Sequence, residues 1–323
     1  MSYQAEKLAV EKKLRFIKRI VFVVVAVLIA TLCVLGAVYE SSEWKYRVAL
    51  PKITARAKTE LRIHFVAVGD GDATIVELPD GKIALIDGGN GSGNANKSVL
   101  RHLNALGVET IDYFFLTRVD SGCFGGFSEI VAYKKIKTAY MPNLATETTN
   151  ASYLSTLQKC KNAGVRVETM DRSLHFNENG YVLSVLSPSD IVTDKTYHAV
   201  IWLGYAGVGT LLASCKTKEA ETSLIAEDRA NAFSARGVAL QNTQILKVAS
   251  GGDKTATDGG FLEYLGVRTA IISCGKGNAL RPAKDTLTAL QDLGVKSYRT
   301  DKNGSIIATI RADGAYTVAT LGV

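Results

Sequence analysis

Between Ile20 and Tyr39 the sequence runs for twenty residues without a charge or a proline, IVFVVVAVLIATLCVLGAVY. A helix of that length is about 30 Å long, the thickness of a bilayer's hydrocarbon layer. A soluble core helix would carry a polar stripe, and this run has none. A cleavable signal sequence has a shorter apolar region, about 7–15 residues, and ends in a small-x-small site. Here the end reads LGAVYE, with Leu35 two residues before Ala37. The run therefore predicts an uncleaved transmembrane helix over 20–39, with membrane lipid as its partner. Lys12, Lys13, Arg15, Lys18 and Arg19 precede it directly, and basic flanks stay on the cytoplasmic side. The cluster beyond it (Lys45, Arg47, Lys52, Arg56) is looser and mixed with Glu40 and Glu43. Residues 1–19 are thus expected to be a cytoplasmic tail, with the bulk of the chain extracytoplasmic. That tail carries +4 of the net charge of +7. The basic balance reflects one end of the chain and does not by itself point to nucleic acid.

Residues 40–60 are polar and contain Pro51, which reads as a stalk. From Leu61 the pattern changes. LRIHFVAV, DATIVELP and KIALIDGG read as strands punctuated by Gly-Asp and Asp-Gly turns. SVLRHLNALG reads as a helix closed by Gly107, and IDYFFLT as a buried strand. SYLSTLQKCKNAG is a second helix, followed by the strands YVLSVLSP, HAVIWLGY, GVGTLLAS, QILKVAS and VRTAIISCG. DTLTALQDLG is a third helix, and SIIATI with GAYTVAT forms a hairpin. With 47% apolar and 21% charged residues, the chain is neither disordered nor a disulfide scaffold. Residues 61–323 are expected to form one α/β domain, or a layered α+β one.

Several of these segments carry a resemblance. Val68-Gly69-Asp70-Gly71-Asp72-Ala73, Pro79-Asp80-Gly81 and Ile86-Asp87-Gly88-Gly89 follow one another as strand, turn, strand, hairpin and strand. LLAS at 211–214, ILKVAS at 245–250, IISCGKGN at 271–278 and YRTDKNGSI at 298–306 then come in matching order. Over about residues 61–320 this resembles the metallo-β-lactamase-fold hydrolases, in particular the hydrolase domain of competence-type (ComEC-like) DNA-uptake proteins. The family's turn has Gln where this chain has Asp70. The resemblance implies an αββα sandwich, two sheets face to face with helices outside, preceded here by the transmembrane helix.

The family's chemistry needs a His-x-His-x-Asp-His cluster after the buried strand, then an Asp and two further histidines. Such ligands bind Zn²⁺ at about 2.0–2.2 Å and bring the pKa of bound water toward about 7. At that place this chain reads Thr117-Arg118-Val119-Asp120-Ser121-Gly122-Cys123-Phe124-Gly125-Gly126. By the resemblance, Arg118, Asp120 and Cys123 replace the histidines and Gly122 the aspartate. The later histidine falls at Ser250 (or Gly251), the bridging aspartate at Cys215 and the last histidine at Arg281. The chain's four histidines, His64, His102, His175 and His198, all lie elsewhere. Arginine cannot donate a lone pair to a metal and keeps its charge. No resident cofactor is expected, and the chain reads as a pseudoenzyme.

Other readings stay open beside that one. Cys123 and Cys215, with Asp120, are candidates for a replacement thiolate zinc site, for a disulfide, or for small buried apolar residues. Gly91 to Ser98 nearly spells a phosphate-cradling G-x-x-x-x-G-K-S loop, but Asn96 stands where glycine is needed, so a polar helix start is the simpler reading. Arg118, Arg281, Lys247 and Lys276 are candidates to bind an anion; alternatively Arg118 pairs with Asp120 or Asp72, and Arg281 with another acid. The favoured function is a non-catalytic binding or scaffolding module for an extracytoplasmic protein or an anionic ligand. The alternative is a hydrolase, nuclease-like and linked to DNA uptake, with a non-standard metal or Cys/Asp site. A nucleic-acid partner follows only from the family likeness.

Overall fold

The computed structural model describes residues 3–38, 43–142, 144, 150–187, 197–215 and 217–322. Tyr39, Glu40, Ser41 and Ser42, where the expected span meets the stalk, lie outside the described residues, as do Met1 and Ser2 of the tail. Two compact units divide at residues 48 and 49.

In the first unit one helix, Tyr3–Val38, joins the basic tail and the apolar run without a break. Lys, Arg, Glu and Leu are all good helix formers, so nothing in the charged tail interrupts the helix before the apolar run begins. Its stretch Val10–Ala37 is long and apolar enough to cross a membrane, with none of its apolar window buried. A four-residue helix, Trp44–Arg47, follows.

Among its described residues the second unit, Ala49–Val323, holds fifteen strands. The first sheet takes β1 (Leu61–Phe65), β2 (Thr74–Glu77), β3 (Ile83–Ile86), β4 (Thr110–Phe115), β5 (Lys135–Pro142) and β6 (Arg166–Met170). The second takes β7 (His175–Glu178), β8 (Tyr181–Ser187), β9 (Val200–Tyr205), β10 (Val208–Leu212), β11 (Thr243–Lys247), β12 (Thr269–Ile272) and β13 (Lys296–Arg299). The chain then returns to the first sheet as β14 (Ile306–Ile310) and β15 (Tyr316–Thr320). The orders are β15-β14-β1-β2-β3-β4-β5-β6 and β13-β12-β11-β10-β9-β8-β7. In each sheet antiparallel pairing gives way to parallel pairing, at β3 in the first and β10 in the second. The αββα sandwich expected from the resemblance is present.

Between the sheets lies an aromatic cluster. Phe115 stacks on Tyr140 with ring centroids 5.0 Å apart, and Phe176 from the opposite sheet meets Tyr113 at 5.0 Å. A second core, with Trp202, Leu211, Phe233, Phe261 and Ile272, packs the second sheet against its helices. Burying one such side chain contributes roughly 1.5–3 kcal/mol.

Four strands and several helices carry no signal in the pattern above. β6, β7 and β13 alternate poorly because they are edge or near-edge strands with exposed polar residues; β5 has Lys135 and Lys137 on its exposed positions. Helix Lys218–Arg229 buries only Glu221 and Leu224, and helix Gly259–Leu265 opens with two glycines. The expected stalk also needs correcting. Residues 49–60 belong to the compact unit, and Tyr205 Oη donates to the Thr59 carbonyl at 2.6 Å.

Candidate functional site

Open α/β sheets bind ligands beyond the carboxyl ends of their parallel strands, near the point where the strand direction switches. Here that rim is built from the loops after β3, β4, β11 and β12, with the β1–β2 turn across from them. A cavity of about 300 Å³ opens there, lined by Asp70, Gly71, Asp72, Arg118, Asp120, Ser121, Gly122, Ser250, Gly251, Ser273 and Arg281. Of the residues that the sequence placed at former ligand positions, Arg118, Asp120, Gly122, Ser250 and Arg281 thus come together. Cys123 and Cys215 are fully buried, outside the lining. No histidine lines the cavity.

Asp72 is the centre of the floor. Lys247, the last residue of β11, places its Nζ 2.7 Å from Asp72 Oδ1, and Arg118 Nη2 lies 3.5 Å from Oδ2. Burial alone would raise the Asp72 pKa, but Lys247 first and Arg118 next outweigh it and hold the carboxyl below its usual range. Arg118 also reaches Asp120 through Nε at 3.1 Å and donates from Nη1 to Ser250 Oγ at 2.8 Å. Ser250 Oγ faces the Cys215 carbonyl at 3.4 Å. To aim that hydroxyl, Ser250 holds a left-handed backbone with φ 49°, a conformation costing about 1–3 kcal/mol for a non-glycine residue. Arg281 pairs with Asp253 at 3.3 Å. Asp70 joins the β1–β2 turn to the loop after β12: its Oδ1 accepts from Gly275 N at 3.1 Å and Asn278 Nδ2 at 2.9 Å.

Below the floor sits Asp87, just past β3. Its two oxygens accept from Thr117 N at 2.8 Å and Thr117 Oγ1 at 2.6 Å. Burial, then the nearby Asp72 charge, push its pKa up to about 7. Asp72, Asp87 and Cys123 each offer one ligand atom within 4.8 Å of the others, a grouping that could hold a metal ion. Cys123 keeps its thiol proton: burial first, and Asp87 second, push its pKa well up. All five cysteines are free, so Cys123 and Cys215 form no disulfide. Burial likewise raises the Cys215 thiol.

Asp87 gives the first expected result. Its folded pKa lies above the unfolded one, so the native state holds an extra proton between about pH 4 and 7. The contribution is therefore full below about pH 4 and is lost progressively as pH rises from about 4 to 7. Asp87→Asn keeps an acceptor for Thr117 and tolerates the φ of 60°. The stability of the variant relative to the wild type should rise from pH 5 to pH 8 in denaturant unfolding; a difference that does not grow with pH would contradict the assignment.

The other candidates separate from this site. Gly69, Gly71 and Gly88 shape the turns around it. The near phosphate loop is a helix start: Ser92 Oγ accepts from Ala95 N at 3.3 Å at the head of helix Gly93–Ala105. Asn96 turns its amide back to the Gly91 carbonyl at 3.3 Å and to Glu129 at 2.5 Å. Lys276 lines a neighbouring cavity of about 430 Å³ with Cys274 and Asp301. The partnership of Lys247 with Asp72 escaped the sequence reading. The sequence offered Lys247 only as an anion-binding candidate beside Arg118, and β11, Thr-Gln-Ile-Leu-Lys, gives no sign of the acid it meets.

No family model matches the chain. Over 267 residues it is 26% identical to ComE operon protein 3 of Bacillus subtilis (strain 168), covering 77% of this chain and 33% of that protein. The chain thus spans about a third of the relative's length. Among solved structures it is similar to the metallo-β-lactamase-fold protein YhfI of Bacillus subtilis, at 10% identity and a TM-score of 0.49, covering 80% of this chain and 100% of that one. It is also similar to a diphosphatase of the PhnP family, at 12% identity and a TM-score of 0.46, covering 82% and 100%. The expected likeness to a competence-type (ComEC-like) protein therefore holds.

Proposed function

We propose that this metallo-β-lactamase-fold chain is a non-catalytic binding or scaffolding module, held at a membrane by its N-terminal helix with the folded domain on the extracytoplasmic side. The observation that carries the reading is the Lys247–Asp72–Arg118–Asp120 ion-pair chain across the cavity floor. Asp72, Asp87 and Cys123 are near enough to one another for a metal, yet they do not fit a resident divalent ion. Both Asp72 oxygens face cations, and both Asp87 oxygens accept from Thr117. Two fixed positive groups about 4 Å from a dication would each oppose it by several kcal/mol at an effective dielectric of about 20. Lys247 and Arg118 supply the positive charge that these buried acids need.

Nor does the cavity offer an activated nucleophile among the described residues. The Ser250 hydroxyl accepts from a guanidinium, and the cysteines near the floor are held as thiols. The basic residues ahead of the apolar run support an inside tail. What the domain binds is an extracytoplasmic protein or a small anionic ligand reaching Arg281 at the cavity mouth. Nucleic acid comes in only through the likeness to a ComE operon protein.

The test is metal content by elemental analysis of the full-length protein in detergent, after dialysis against zinc and manganese. The expected result is well under one metal per chain. Stoichiometric metal that Cys123→Ser or Asp72→Asn abolishes would overturn the reading in favour of a hydrolase with a non-standard site.

A further inference from the structure

A second buried polar cluster lies on the helix-covered face of the first sheet, apart from the cavity. In β1, Leu61, Ile63 and Phe65 point into the core, so the alternate residues Arg62 and His64 share the other face. They are nonetheless buried, with 4% and 0% of their surface exposed. Glu77 of β2, the cross-strand partner of Arg62, is the hub. Its Oε1 receives Arg62 Nε at 2.8 Å, Arg62 Nη2 at 2.7 Å and His64 Nε2 at 2.8 Å. Its Oε2 lies 3.5 Å from Arg56 Nε. His64 Nδ1 meets His102 Nε2, from helix Gly93–Ala105, at 2.9 Å.

The same two arginines hold a strap of chain. Arg62 Nη1 donates to the Thr54 carbonyl at 2.8 Å, and Arg56 Nη1 to the carbonyls of Lys58 at 3.3 Å and Glu60 at 2.5 Å. Residues 54–60 are therefore seated on the sheet by guanidiniums that meet at one carboxylate.

Hydrogen-bond bookkeeping fixes the proton positions. With Glu77 ionised and both rings neutral, His64 must donate through Nε2 to Glu77 and accept at Nδ1 from His102 Nε2. The cluster holds one carboxylate and two guanidiniums, so a further proton would enter a buried group that is already positive. The remaining neighbours do not relieve it. Glu60 turns its carboxylate to the Ala57 amide at 3.1 Å, and β14 opposes Arg62 and His64 with Thr309 and Ile307.

We infer that this cluster is an acid-sensitive latch, seating residues 54–60 while the His64–His102 pair is neutral and releasing them when the pair takes up a proton. Burial, the largest influence on both rings, lowers the His64 pKa and takes that of His102 down to about 3. Opening hydrates the rings and returns them toward about 6.5. The closed state then binds fewer protons than the open one, so the latch is fully held above about pH 6.5 and weakens as pH falls below it. Each proton taken up raises the open population by up to about tenfold per pH unit. Release adds up to roughly 3.3–3.6 Å of tether per freed residue. The inference does not depend on whether the cavity binds or catalyses.

The test is amide hydrogen exchange, read by mass spectrometry on the full chain in detergent at pH 7.5, 6.5 and 5.5. Rates are normalised to those of unstructured peptides at each pH. Protection over 54–65 should fall at least about tenfold from pH 7.5 to 5.5, while β11 and β12 stay unchanged. In H102Q, whose side-chain amide keeps the donor to His64, the fall should shrink. Flat protection over 54–65, a fall shared with β11 and β12, or an H102Q profile equal to the wild type would each overturn the latch. If H102Q does not fold, the wild-type comparison of the two regions decides.

Discussion

Lys247→Met should lower the stability of the folded domain by about 3–5 kcal/mol, the usual loss when one partner of a buried ion pair is removed. In a domain of this size that is a fall in Tm of roughly 10 °C. Methionine nearly matches lysine in length, so packing changes little; what goes is the ammonium 2.7 Å from Asp72. The remaining cation, Arg118, is 3.5 Å away and shared with Asp120, and so cannot fully neutralise a wholly buried carboxylate. The double variant Lys247→Met/Asp72→Asn should recover most of the loss, because the charge that needed a partner is gone too. Thermal unfolding of the three proteins followed by circular dichroism measures this. A loss under about 1 kcal/mol in the single variant would mean that Lys247 is not what neutralises the floor.

Gly126→Ala is expected to be at least as damaging, about 3 kcal/mol or more, for a steric reason. The loop after β3 and the loop after β4 run against each other with no side chains between them. Gly88 N donates to the Cys123 carbonyl at 2.6 Å, and Gly126 N to the Gly89 carbonyl at 3.1 Å. A methyl on Gly126 would fall on the Gly88 carbonyl oxygen, and one on Gly125 would come within 2.6 Å of the Asn90 and Ser121 carbonyl oxygens. Backbone oxygens cannot rotate away, so the loops must part, and Asp87 and Arg118 would lose their places with them. Gly93→Ala is the control. Nothing lies within 4 Å of its added methyl, and it opens a helix, so that variant should be neutral or slightly stabilised. Equal Tm values for Gly126→Ala and Gly93→Ala would refute the close-approach argument.

Much of the candidate site was legible as positions but not as partnerships. The glycine-aspartate turns locate Asp70, Asp72 and Asp87, and the Thr117 to Gly126 register locates Arg118, Asp120 and Cys123. Which acid Arg118 would meet stayed open between Asp72 and Asp120; the folded chain gives it both. Arg62, His64 and Glu77 carry a faint signal, polar residues at alternating positions in strands that are otherwise apolar. Such alternation normally marks a solvent face, and only the helix Gly93–Ala105 and the strap make that face an interior.

The sequence by itself determined the elements whose pattern is local. Twenty uncharged residues make a membrane-length helix, strands alternate or run apolar, and glycines mark turns that need positive φ, as at Gly69 and Gly89. These follow from backbone sterics and from the transfer of nearby side chains out of water, and neither needs a distant partner. The tertiary structure alone decided which charges are neutralised. Asp72 with Lys247, Arg281 with Asp253, and Glu77 with the strap's Arg56 each join segments far apart in the chain. An ion pair depends on distance and burial, and both are set by which strands become neighbours when the two sheets close.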